Sequence, residues 1–142
     1  MAHAHAQSAP AVYGGRTPAQ LYALLFGATL VLAGILGFVV DSSFDVGNGI
    51  QGDDLVLFEV NGIHNLVHIA SGAVLLAVAA RPSAARVVAI GFGLVYGLVT
   101  VIGLIDGEDV LGLIPVNAAD SVLHLAIATL AVVSGLMSRP AR

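Results

Sequence analysis

The sequence predicts an all-α integral membrane protein, a four-helix bundle built from two similar helical hairpins as a parallel repeat. Three observations carry that prediction. First, the chain of 142 residues is 58% hydrophobic and only 10% charged, with a mean hydropathy of +0.97. A soluble domain of this size needs more polar surface than that. Second, the apolar residues gather in four runs, Leu21–Val40, Leu57–Ala80, Val87–Ile105 and Ile114–Met137. Each approaches the roughly 20 residues that a helix needs to cross a hydrocarbon core about 30 Å thick. Third, the loops alternate in charge, as a multi-pass chain requires.

Residues 1–17 read as a flexible cytoplasmic tail, small, polar and Gly/Pro-bearing. His3 and His5 lie there as isolated, incidental imidazoles. Thr17 suits an N-cap and Pro18 a first helical turn. The first run is too long for a secretory signal and lacks a small-x-small cleavage site, so it reads as a retained span. The Gly/Asp-rich "SSFDVGNGIQGDD" forms the first outer loop, and Glu59 stands at the membrane edge. Pro82 marks the turn between spans two and three. In span three, Gly93 and Gly97 form a small-xxx-small motif that serves either the internal bundle or a homodimer. Tyr22 and Tyr96 read as packing or interface residues. Pro115 suits the first turn of span four. The spans make up one domain, 18–139, followed by a short tail, 140–142.

Lysine is absent, and Arg16, Arg81, Arg86, Arg139 and Arg142 all fall on one side of the four-span topology. The opposite loops carry Asp41, Asp45, Asp53 and Asp54, then Asp106, Glu108 and Asp109. The positive-inside rule therefore puts both termini and the middle loop in the cytoplasm. The outer acids do not follow a calcium-loop pattern. A net charge of −4 excludes a nucleic-acid surface, and the absence of cysteine excludes disulfides and thiolate sites. Partners are the lipid bilayer and either a second copy or another membrane protein.

The second and fourth runs echo each other. "VNGIHNLVHIASG" begins at Val60 and "VNAADSVLHLAIA" at Val116. Asn61 answers Asn117, His64 answers Asp120, Asn65 answers Ser121 and His68 answers His124. At i, i+3, i+4 and i+7 these residues form one stripe per helix, continued by Gly72 and Ala128. A charged group at a helix centre costs about 2.5–3.5 kcal/mol on insertion scales, so the stripes belong inside the bundle. They begin at the outer end and stop near the middle, with no polar continuation to the cytoplasmic side.

Three readings of the stripe stand open. In the leading one it is interhelical hydrogen-bonding glue, and no cofactor is needed. In the second it is an outward-facing ligand site. His64, His68, His124 and Asp120 are then candidate ligands for zinc, copper or nickel, or His68 and His124 are axial ligands to a haem. In the third, Asp120 paired with His64 handles protons or small solutes. No nucleophile–base pair, phosphate loop or nucleotide fingerprint supports an enzyme.

Four segments, "GILGF" at Gly34–Phe38, "NGIHNLVHIASG" at Asn61–Gly72, "GLVYGLVTVIGL" in span three and "PVNAADSVLHL" at Pro115–Leu125, carry a resemblance over Pro18 to Met137. The chain resembles domain-of-unknown-function family 4383, small four-span membrane proteins of high-GC Gram-positive bacteria. The resemblance implies a multi-pass protein of the bacterial plasma membrane and singles out the same stripe. It implies no activity.

Overall fold

The computed structural model describes residues 15–138. Most of the tail reading, with His3, His5, Arg139 and Arg142, lies outside them. Among the described residues are four helices: α1 (Pro18–Val40), α2 (Gly62–Val78), α3 (Pro82–Asp106) and α4 (Ala118–Met137). Two short antiparallel hairpins interrupt them. The first pairs β1 (Asp53–Leu55) with β2 (Phe58–Val60) between α1 and α2. The second pairs β3 (Asp109–Val110) with β4 (Ile114–Pro115) between α3 and α4. Both hairpins therefore stand at the same end of the bundle.

The helix starts follow from local chemistry. Thr17 caps α1, its hydroxyl accepting from Gln20 N–H while the Gln20 side chain accepts from Thr17 N–H. Pro18 and Pro82 occupy the first turns of α1 and α3, where their missing N–H has no intrahelical partner to lose. Pro115 departs from the expectation. It ends β4 opposite Asp109, and α4 begins only at Ala118 because Asn117 is its N-cap. Likewise the second apolar run divides, its first residues forming β2 and the rest α2. Helices α1, α3 and α4 are long and apolar enough to cross a membrane; α2, with 17 residues, is shorter.

Large side chains point outward and small ones inward. Leu25, Leu94, Leu98, Ile105 and Leu136 are exposed, as suits contact with lipid, while Ala19, Ala23, Ala85, Ala89 and Ala131 are fully buried. In a bilayer the hydrophobic effect does not hold helices together, so close backbone contact between small residues does. A Cβ on Gly72 would lie 2.6 Å from the Gly27 carbonyl oxygen, and one on Gly27 would lie 3.0 Å from that of Gly72. The α1 and α2 backbones therefore touch there. A Cβ on Gly93 would lie 2.6 Å from the Ala128 carbonyl oxygen, so Gly93 of the small-xxx-small motif serves the α3–α4 contact.

Polar ties close the end opposite the hairpins. Gln20 Nε2 donates to the Ala79 carbonyl, Ala19 N–H to Ser138 Oγ, and Tyr22 Oη to the Ile127 carbonyl. Tyr22 thus joins α1 to α4 rather than lying at the lipid interface.

Gly72→Val should lower stability by about 1–3 kcal/mol through overpacking. Gly91→Ala should leave it unchanged or raise it, because a Cβ there meets nothing within 4 Å. Thermal unfolding in detergent distinguishes the two, and equal melting temperatures for both variants would contradict the contact.

Candidate metal centre

The site begins with the caps of α2 and α4. Asn61 Oδ1 accepts from His64 N–H, and Asn117 Oδ1 from Asp120 N–H. Each amide then reaches across the bundle. Asn61 Nδ2 donates to the Leu113 carbonyl and Asn117 Nδ2 to the Leu57 carbonyl, at 3.1 and 3.0 Å. Each asparagine thus starts its own helix and fastens the other hairpin. Asn65 Nδ2 donates to the Asp41 carbonyl at the end of α1.

Between these fastenings runs the backbone of Glu59. Its N–H donates to Asp120 Oδ2, and its carbonyl lies 2.9 Å from His64 Nδ1. A carbonyl only accepts, so Nδ1 of His64 carries the proton and Nε2 keeps its lone pair. Asp120 Oδ2 also accepts from Asn117 N–H, completing a capping box. The expected pairing of Asp120 with His64 does not form. Both side chains turn to the Glu59 backbone instead, which offers one donor and one acceptor.

His64, His68 and His124 converge. One ring nitrogen from each lies within 4.8 Å of the others. Ring centroids are 4.4 Å apart for His64–His68, 5.6 Å for His64–His124 and 5.9 Å for His68–His124. His68 and His124 each stand seven residues beyond their N-caps, Asn61 and Asn117, which sets them at matching depth. His64 and His124 are buried, and His68 Nε2 is buried with no hydrogen-bond partner among the described residues. Such a nitrogen normally has a partner, and its lone pair is what a metal ion takes.

A cavity of about 100 Å³ adjoins the three rings, its walls including Val67, Val95, Val99, Val116 and Tyr96. Tyr96 meets His124 edge-on at 5.6 Å, and its hydroxyl donates to Ser71 Oγ. Three nitrogens around tetrahedral zinc are separated by about 3.3 Å, so modest ring rotations would close the set. A porphyrin is far wider than this chamber of about 100 Å³, so the haem reading does not fit.

All eight stripe residues lie at one end of the bundle, but they divide in role. Asn61, Asn65, Asn117 and Asp120 hold backbone, and the three imidazoles face one another. Ser121 is buried on the same face. Asp120, a candidate ligand by sequence, is not among the converging residues. Sequence reasoning missed Glu59, which acts through backbone atoms that every residue type shares. Asp120→Ala should cost about 1–2 kcal/mol, the worth of a lost cap and a buried backbone link. Thermal unfolding of that variant beside Ser121→Ala, whose hydroxyl bonds no other helix among the described residues, measures it.

Neither a curated protein nor a solved structure matches the chain. A family match covers residues 20–137, and so spans all four helices. The chain is an integral membrane protein and belongs to the family described as Domain of unknown function (DUF4383).

Proposed function

We propose that this protein holds one divalent transition-metal ion on His64, His68 and His124, in a chamber at the outer end of a four-span bundle. The observation that carries the reading is the convergence of three imidazoles, a ring nitrogen of each within 4.8 Å of the others, beside a His68 Nε2 buried without a partner among the described residues. Hydrogen-bonding glue accounts for the asparagines and Asp120. It accounts for His64 Nδ1, bonded to the Glu59 carbonyl, but leaves the buried His68 Nε2 without a partner among the described residues. Neutral imidazole suits zinc, copper and nickel. Glu59 acts as the outer partner that sets the His64 tautomer, the usual arrangement behind a metal-ligating histidine. Three protein ligands leave a fourth position for water or a ligand, the pattern of sites that react rather than only brace.

The arginine distribution supports both termini in the cytoplasm of a bacterial cell, and the echo between spans two and four supports each helix pair, α1–α2 and α3–α4, as a copy of one unit. The matched asparagines support the repeat: each fastens the carbonyl four residues before its counterpart. Proton handling draws less support, since Asp120 and His64 share no hydrogen bond.

Purified protein titrated with zinc, copper(II), nickel and cobalt should bind one equivalent of at least one of them, by elemental analysis after desalting. His68→Ala and His124→Ala should lose it, and Asp120→Asn should keep it. Folded wild-type protein that binds none of the four sinks the proposal. Acid should release the ion, since protons compete for the imidazoles. A reporter fused after Arg142 should be active on the cytoplasmic side; activity outside reverses the topology.

A further inference from the structure

A second cavity, of about 330 Å³, opens between α2 and α3 on the face the helices present to lipid. Ala70, Val74, Val88 and Gly91 form its outer walls. Ser71, Val95 and Tyr96 line both this groove and the histidine chamber, so the two adjoin and these side chains stand between them. At their junction stand the groove's two polar side-chain groups, Tyr96 Oη and Ser71 Oγ, bonded to each other at 3.1 Å across the helix gap.

From the hairpin end the chamber is covered. Asn61, His64, Asp120 and Val116 are at most 5% exposed. The groove is different: Val74 and Val95 are 53% and 58% exposed, and Gly91 leaves open space beside it. Whatever reaches the imidazoles by this route travels from among acyl chains, along an apolar wall, and meets polar atoms only at its inner end.

We infer that the groove between α2 and α3 is a lateral portal through which a single-chain amphiphile, an acyl chain ended by an oxygen-bearing head, reaches the histidine chamber. The inference deepens the metal-site reading and rests on it for the partner of the head. The chain lies along Ala70, Val74 and Gly91. The head displaces the Tyr96–Ser71 hydrogen bond and takes the open position beside His68 and His124. No bond is made or broken in the amphiphile. The hydroxyls released from each other are a donor and an acceptor for its oxygens.

The chain lacks tryptophan and holds three tyrosines, so the part of the tyrosine emission that Tyr96→Phe removes reports on the portal. Metal-free protein in nanodiscs is titrated with 9,10-dibromostearate, whose bromines quench nearby tyrosine. Quenching should saturate in the wild type and be about tenfold weaker in half-saturation in Gly91→Leu, which fills the groove. Ala70→Leu, from the opposite wall, makes the same test if Gly91→Leu does not fold. In cobalt(II)-loaded protein the same amphiphile should shift the visible bands, and acetate at equal concentration should not. Quenching that rises without saturation, or is equal in wild type and both variants, overturns the portal. A band shift produced equally by acetate also overturns it, because the head then arrives from water. Saturable, groove-dependent quenching with no cobalt bands supports the portal and sinks the metal site alone.

Discussion

Two asparagine side chains crossing the hairpin end of the bundle are the constraint on which the rest depends. Each uses its oxygen to start a helix and its nitrogen to hold a carbonyl of the opposite hairpin. A helix start leaves N–H groups without partners, and in a bilayer such groups have no water to turn to. One amide side chain resolves that at each helix and, with the same group, sets the two helices level. The matching depth of His68 and His124 follows from this. An offset of one residue in either cap would rotate its imidazole about 100° away from the chamber.

The glycine contacts serve the same end from below. With the backbones of α1 and α2 touching at Gly27 and Gly72, and α3 lying on α4 at Gly93, each pair is held rigidly. Between α2 and α3 the groove remains, bridged at its inner end by Tyr96 and Ser71. The bundle is thus tight within its helix pairs and looser between them, and that looser seam borders the imidazoles.

Separating the polar stripe into frame and site changes what its cost means. Polar groups in lipid are tolerated when they hydrogen-bond across helices, each contact contributing about 0.6 kcal/mol on average. The asparagines and Asp120 meet that condition. His68 does not, since its buried Nε2 is left without a partner among the described residues; Asn65 meets it through Nδ2 alone, its buried Oδ1 also being without one. A buried nitrogen so placed lowers stability unless something binds it, and burdens of this kind persist where they serve chemistry. The proposed metal ion would turn that burden into binding energy.

The sequence by itself determined the four apolar runs, the membrane as solvent, the Thr17 cap and the identity of every polar stripe residue. All of these rest on composition and periodicity, which are properties of neighbouring residues. It did not determine where α2 and α4 begin, that Asn61 and Asn117 reach across the bundle, or that Asp120 leaves the histidines for the Glu59 backbone. It grouped His64, His68, His124 and Asp120 as one candidate ligand set, and did not separate Asp120 from the three imidazoles. Those outcomes were decided by tertiary structure, because they depend on which carbonyl or N–H of a distant hairpin lies within about 3.1 Å. Backbone groups are the same at every residue, so such contacts leave no mark in the sequence.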